Sequence, residues 1–423
     1  MTPWSANAPL ISIPGDAPKN LLMVSIDTMR RDRVGRYADD PTLTPSIDRI
    51  LDEAVVLDAH QSCANWTYPS ILCALGGQTT VDIGYDPPVV PDKDEPPEPI
   101  PVDVTLLQDW LGDLGYDTAV VTANHLLCPD TGVAGYDHVD CVSGARAGEI
   151  VDLGLSRLSS MTADRPWFVH LHFMDPHKPY DPPQGYLDEV SALPPAPWDL
   201  STIETTNAAI EAYASMTPED QALLWEHLHT RYNGEVRFAD AQIGRLWEEA
   251  GAAGWLEDTL VVFWTDHGEQ LLERGYVGHG ETLHVEENAA VAAFWARDLE
   301  PSTWAARTSH IDIVPTILGA MRMPVPREVT GKPVGTASAY RAIFGLQTHA
   351  YSAPRQSITL GNLRLIYRWD GPRSFHRLDL DPDEKIDLYA RDDPSVQSLW
   401  LQLEPELWRV STLVDDTPVD AGP

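Results

Sequence analysis

The chemistry of this chain is concentrated first in Leu260 to Glu269, LVVFWTDHGE, where an apolar run delivers an acid, an imidazole and a glycine. Five apolar residues bounded by polar ones predict a buried strand, and Asp266 and His267 then stand at its carboxyl end, where open α/β sheets place ligands. Both side chains can reach one divalent ion if the chain turns sharply, a turn that Gly268 permits. Alone, an Asp-His-Gly is better explained as a helix N-cap beside a structural histidine. Two other stretches change that balance. Asn20 to Ile26, NLLMVSI, predicts a second buried strand and ends at Asp27-Thr28. Asn65-Trp66-Thr67-Tyr68-Pro69-Ser70 precedes ILCALGG, where Pro69 opens a helix that Gly76-Gly77 ends. Thr67 is thus expected at or just before a helix N-terminus, where backbone N–H groups and the dipole suit an anion.

The elements that must position these residues repeat one pattern. Thr118 to Thr122 reads as a strand followed by Asn124-His125, and Pro166 to Met174 as a strand that delivers Asp175-Pro176-His177. Four strands ending in metal-capable or proton-carrying residues predict a doubly wound sheet that gathers them along one edge. Gly278-His279-Gly280 predicts a loop that returns His279 to the same place. Helices are expected from Thr44-Pro45-Ser46 onward, over Thr105 to Leu114 and over Tyr232 to Ala250, with a short strand at Val55 to Leu57. Val81 to Pro101 reads as a surface excursion rich in proline and acids, and Gln184 to Glu226 as a cover over the site or a plain surface insertion. Leu363 to Trp369 and Ser374 to Leu380 predict a small antiparallel sheet, followed by a helix near Ser395 to Leu403. The expected organisation is an N-terminal extension at 1–19, a catalytic α/β domain at 20–345 and a small α+β subdomain with a tail at 346–423.

With 64 acidic and 29 basic residues the formal charge is -35, which disfavours nucleic acid or an anionic membrane as partner. An anionic substrate then needs local metal or histidine charge. Cys63, Cys73, Cys128 and Cys141 are too few and too irregular for a zinc ribbon or a disulfide scaffold, although Cys128 and Cys141 could bridge a loop. No signal-peptide pattern opens the chain and no run approaches a membrane span, so it is expected to be cytoplasmic as it stands, or exported if a signal has been removed. Nothing in the sequence sets an oligomeric state.

The order NLLMVSIDTMRRDRVGRY, NWTYPS, GYDTAVVTANH, MDPHKPYDPP, TDHGE with GHGETLHVEEN, SHIDIVPTIL, and LRLIYRWDG with LDLDPDEKIDLY resembles the sulfatase-like branch of the alkaline phosphatase superfamily. The resemblance implies an α/β/α sandwich around a large, mostly parallel sheet, with a small C-terminal antiparallel sheet plus helix. It also implies one divalent ion held by Asp27, Thr67, Asp266 and His267, with Thr67 as nucleophile, His177 and His279 as catalytic groups and His125 as a substrate-binding residue. Independent chemistry agrees, because a hydroxyl near its free pKa is protonated at neutral pH and coordination by a cation populates the alkoxide. Three oxygens and one nitrogen favour zinc or manganese, with magnesium or calcium open. Calcium-holding members often carry two consecutive aspartates at the first strand end, where this chain has Asp27-Thr28. Asp175 is a candidate partner or second-ion ligand, and His172, His284 and His310 read as satisfied structural residues.

Departures from the family pattern set the expected substrate. Family sulfatases convert the cysteine of a Cys-x-Pro-x-Arg segment to formylglycine, whereas this chain has Thr67-Tyr68-Pro69-Ser70-Ile71. Two family lysines are replaced by Ala123 and His279. An unmodified threonine forms an ester that water must break at the central atom, which phosphorus permits more readily than sulfur. The sequence therefore predicts a metal-dependent hydrolase of phosphate diesters or phosphonate monoesters working through phospho-Thr67. A formylglycine-independent sulfatase is the alternative, and a phosphoglycerol-type transferase a further one.

Overall fold

A computed structural model of the protein describes residues 11–84, 100, 104–128, 133, 135–161, 164–190, 193–336, 341–347 and 353–414. Most of the predicted 81–101 excursion lies outside them. The large sheet is built from β1 (Asn20–Ile26), β2 (Val55–Leu57), β3 (Asp117–Thr122), β4 (His138–Cys141), β5 (Trp167–Phe173), β6 (Thr259–Thr265), β7 (Ala292–Trp295) and β8 (Ser302–Trp304). Its strand order is β8-β2-β7-β6-β1-β5-β3-β4, with β7 antiparallel to both neighbours and the other pairings parallel. The two strands that carry the strongest apolar runs, β1 and β6, are adjacent, and Ile26 pairs with Thr265. Asp27 and Asp266 therefore leave the sheet side by side.

Alternation along β1 explains the layering. Leu22, Val24 and Ile26 point into one core with α1 (Pro45–Asp52), and Leu21 and Met23 point into the other with α2 (Thr67–Gly76) and α3 (Leu107–Asp113). The first core also takes α4 (Ala147–Ser160). Both faces of the central strands are covered, which is why they read as continuous apolar runs. The α/β/α sandwich is the fold that the sequence predicts.

The helices differ from the expected ones in their limits and number. The predicted 184–226 segment contains α5 (Gln184–Val190), α6 (Ile203–Ala212) and the start of α7, a 35-residue helix over Pro218–Ala252. Thr217 caps α7 by accepting from the Asp220 N–H, with Pro218 in its first turn, so a Thr-Pro start signal lies inside the stretch read as cover. A short helix, α8 (Val285–Asn288), follows the His279 loop, and α9 (Ile313–Ala320) joins the second core.

The C-terminal sheet is antiparallel, in the order β9 (Ile343–Gln347), β10 (Arg355–Leu360), β11 (Leu363–Arg368), β12 (Ser374–Arg377). It packs on α10 (Pro394–Val414), which runs past the predicted end at Leu403 and through Pro405. The helical spacing of Leu399, Leu403, Leu407 and Val410 against Ile358, Leu365 and Phe375 accounts for that continuation.

Candidate active site

Asp27 follows β1, and its N–H donates to Phe173 O of β5 at 2.9 Å. Asp266 follows β6, and its N–H donates to Ile26 O at 3.2 Å. The Asp266 Oδ1 accepts from the backbone N–H groups of His267 (2.7 Å) and Thr28 (3.0 Å), which fixes the carboxylate and leaves Oδ2 facing inward without a hydrogen bond. Thr28 adopts φ +54, an unfavourable conformation for a β-branched residue, and Tyr232 holds it by donating to Thr28 O at 2.6 Å. Gly268 is needed for a reason other than the predicted turn. Its φ is not positive, but a Cβ there would lie 2.0 Å from Glu286 O.

Thr67 is the first residue of α2, so the positive end of the helix dipole faces the strand ends. Its Oγ1 lies 3.3 Å from Asp27 Oδ2 and 3.3 Å from His267 Nε2. His267 Nδ1 pairs with Gly268 O at 2.9 Å, which leaves Nε2 3.5 Å from Asp266 Oδ2 and 3.7 Å from Asp27 Oδ1. Asp27, Thr67, Asp266 and His267 thus converge within a buried space. His172, read from the sequence as a satisfied core histidine, corrects that reading: its Nε2 is buried, has no hydrogen bond and lies 3.5 Å from Asp27 Oδ2. Ligand atoms of Asp27, His172 and Asp266 all lie within 4.8 Å of one another. The unpartnered Asp27 Oδ1, Asp266 Oδ2 and His172 Nε2 form a donor set that fits a divalent cation.

The electrostatics point the same way. Burial pushes the Asp266 carboxyl up strongly, and the charge of Asp27 pushes it further. For Asp27, burial also opposes ionisation, but the imidazoles of His172, His177 and His267 outweigh it and hold the carboxyl below its usual range. Burial and the neighbouring His279 bring His267 down to about 3, so its imidazole is neutral and suited to coordination. A cation would offset the mutual repulsion that opposes ionising both Asp27 and Asp266, and the neutral imidazole of His267 would supply a lone pair beside them.

The predicted loop does return His279, with positive φ at Gly278 and Gly280. Its ring lies 4.4 Å from that of His267 and 5.2 Å from that of His177. Glu269, which the sequence reading passed over, is buried and links the two sides: it accepts from Tyr180 OH at 2.9 Å and pairs with His279 Nδ1 at 3.1 Å. Burial opposes a charge on His279, but Glu269 raises its pKa. Glu287 was also missed. It accepts from the backbone N–H groups of Gly280 and Thr282 and from Asn65 Nδ2, so one carboxyl fixes both the His279 loop and the segment that leads to Thr67. Lys178 adds a cation beside His177 and is tied by 2.9 Å to Asn207 of α6, which brings part of the 184–226 segment to the rim.

Asn124 is the residue that reaches the centre, its Nδ2 donating to Asp27 Oδ2 at 2.9 Å, while His125 is exposed on a one-turn helix. Partial burial and the nearby His177 lower the pKa of His125, so it borders the same mouth. Asp175 is not placed to hold a second ion, because Arg146 Nε and Ala147 N occupy its two oxygens at 2.6 Å each. His310 is satisfied by Ser62 Oγ and Thr265 O, as read. His284 is not, since its Nδ1 is buried without a hydrogen bond.

The structure pairs Cys63 with Cys73 as well as Cys128 with Cys141. The first bridge was not foreseen and closes a loop of ten residues' separation around Thr67. Replacing Cys63 and Cys73 together by alanine is expected to cost about 2–3 kcal/mol by loop entropy, measured as a lower denaturant midpoint against wild type.

A family model described as Sulfatase matches residues 19–146 and 147–323. A choline-sulfatase of Rhizobium meliloti (strain 1021) is 24% identical over 253 residues, covering 55% of this chain and 48% of the relative, so the match spans about half of that protein. A solved structure in complex with its substrate D-glucosamine-2-N,6-O-disulfate superposes with a TM-score of 0.74 at 17% identity, covering 95% of this chain and 99% of the other. The phosphonate monoester hydrolase of Agrobacterium radiobacter superposes with a TM-score of 0.67 at 17% identity, covering 94% and 96%. At those identities the superpositions carry the fold, whereas the family model carries the family. The chain belongs to the sulfatase family.

Proposed function

We propose that the chain is a metal-dependent hydrolase of an anionic ester, with a sulfate ester as the leading substrate class. The observation that carries the reading is the convergence of unpartnered, buried Asp27, His172 and Asp266 ligand atoms beside Thr67 Oγ1 at a helix N-terminus. The relatives favour sulfate over phosphorus, which reverses the order suggested by the unmodified threonine. Asp27, Asp266, His267 and Thr67 would hold the ion, and zinc or manganese suits their three oxygens and one nitrogen. Bound there, a divalent ion supplies the Lewis-acid charge that makes a hydroxyl nucleophilic and offsets negative charge on the ester.

The chain's own groups account for the remaining chemistry. Thr67 Oγ1 gives its proton to Asp27 Oδ2 and bonds to the central atom, while the bond from that atom to the leaving oxygen breaks. With Nδ1 engaged by Glu269, His279 has Nε2 as the nitrogen able to protonate the leaving oxygen, and His177 stands beside it as a second donor. Helix α2 directs its N-terminal dipole at the transferred group. Water then cleaves the ester of Thr67 at the central atom, and an imidazole accepts the proton.

A second reading, hydrolysis of phosphate diesters or phosphonate monoesters, is favoured by Thr67 itself. No cysteine stands there to become an aldehyde hydrate, and direct displacement is easier at phosphorus. The two readings separate on a panel of aryl sulfate, phosphate monoester, phosphate diester and phosphonate monoester, assayed with protein reloaded with zinc, manganese, magnesium or calcium. Highest kcat/KM on the sulfate supports the first reading and on the diester or phosphonate the second. Turnover of none with any ion would sink both.

A further inference from the structure

Behind the candidate metal centre runs a buried chain that the proposed reaction does not use. His172 Nδ1 lies 2.8 Å from Ser25 Oγ, Ser25 Oγ lies 2.8 Å from His170 Nε2, and His170 Nδ1 lies 3.2 Å from Tyr136 OH. Ser25, His170 and His172 are all fully buried. The sheet creates the arrangement: β1 and β5 are parallel neighbours with Ser25 in register with His172, and the two histidines sit two residues apart on one face of β5.

A serine hydroxyl has one proton and two lone pairs; if the proton goes to Leu171 O, 3.5 Å away, both imidazoles donate to Ser25, and if it goes to one imidazole, the other donates to the serine oxygen. Apart from that arrangement, in which His172 Nδ1 also donates, the chain has two self-consistent directions. In one, Tyr136 donates to His170, His170 to Ser25 and Ser25 to His172 Nδ1, which leaves the His172 proton on Nε2. In the other, His172 Nδ1–H donates to Ser25, Ser25 to His170 Nε2 and His170 Nδ1–H to the Tyr136 oxygen. His172 Nε2 then presents a lone pair. A cation shared with the adjacent, unpartnered Asp27 Oδ1 and Asp266 Oδ2 would select the arrangements in which Nε2 presents its lone pair, since without one an N–H facing Asp27 Oδ2 at 3.5 Å is the better-matched form.

We infer that His172 is a further ligand of the divalent ion, and that Ser25, His170 and Tyr136 are positioning residues that fix its Nδ1–H tautomer. This rests on the reading that the site holds an ion. A second imidazole nitrogen beside His267 moves the donor set away from magnesium and calcium and toward zinc and other nitrogen-binding transition metals. An outer-shell partner that sets a ligand's tautomer contributes to affinity in its own right.

The test is calorimetric titration of the chelator-stripped full chain with zinc and with magnesium, together with the visible spectrum of the cobalt(II) form. His172→Ala is expected to weaken zinc binding at least about 100-fold and to shift the cobalt bands, with magnesium binding within about twofold of wild type. Ser25→Ala is expected to weaken zinc binding about 10-fold and Ser25→Thr, which keeps the hydroxyl, to restore it. Zinc affinity and cobalt spectrum unchanged in His172→Ala would overturn the proposal while leaving the metal-dependent reading intact. A wild-type chain that binds no divalent ion would overturn both. Should His172→Ala fail to fold, the Ser25 pair decides: equal zinc affinity and identical cobalt spectra in Ser25→Ala and wild type overturn the relay.

Discussion

Thr67→Ala is expected to lower kcat/KM on the best substrate by at least about 10⁴-fold, the scale on which loss of a covalent nucleophile is felt. The side chain is 3% exposed and its two polar contacts are both long, at 3.3 Å, so the variant is expected to fold and melt close to wild type. Loss of activity without loss of structure is the signature to look for. Thr67→Ser keeps a hydroxyl, now primary rather than secondary, at the same helix end and is expected to retain part of the rate. Mass spectrometry of the quenched wild-type reaction should show a sulfuryl or phosphoryl group on the peptide containing Thr67. Undiminished turnover in Thr67→Ala would mean that water attacks the ester directly and that Thr67 only lines the site.

Asp27→Asn is the second large effect, and its value lies in separating binding from folding. Asp27 lies against four residues of the centre: Asn124 Nδ2 at 2.9 Å, Thr67 Oγ1 at 3.3 Å, His172 Nε2 at 3.5 Å and His267 Nε2 at 3.7 Å. Removing its charge is expected to weaken divalent-ion binding on the order of 10²–10³-fold, as losing one partner of a buried charge pair does. Wild type should gain about 4 kcal/mol of stability with metal at a thousandfold excess over its Kd, and the variant far less, read as the metal-dependent shift in Tm. Without metal the ranking is expected to level or invert. Asp27 and Asp266 face one another in the stripped protein, and an asparagine removes that repulsion. A variant with the wild-type metal-dependent Tm shift would remove Asp27 from the ligand set.

Much of the site was legible because it depends on strand ends. β1 and β6 are buried on both faces and announce themselves as apolar runs, and an acid directly after such a run must emerge at the carboxyl edge of the sheet. Thr67 was legible through the proline that follows it and the glycines that close its helix. Glu269 and Glu287 were not, since a buried acid looks like any surface acid until its donors are known: Tyr180 and His279 for one, the 280–282 backbone and Asn65 for the other. The missed start of α7 had a signal, Thr217-Pro218, masked by the proline-rich residues before it. The order of substrate classes drawn from Thr67 followed reaction chemistry alone, whereas the relatives place sulfate first.

By itself, then, the sequence determined the doubly covered sheet and the edge at which its strand-end residues gather, because apolar periodicity and helix punctuation are local properties of the chain, while the grouping of Asp27, Thr67, Asp266 and His267 came from the family resemblance. Only the tertiary structure decided which histidine lies against Asp27, since His170 and His172 stand two residues apart on one face of one strand and no local pattern distinguishes them. The register of β1 on β5 does so: it places Ser25 between them, turns His172 toward Asp27, and leaves His170 to face Tyr136.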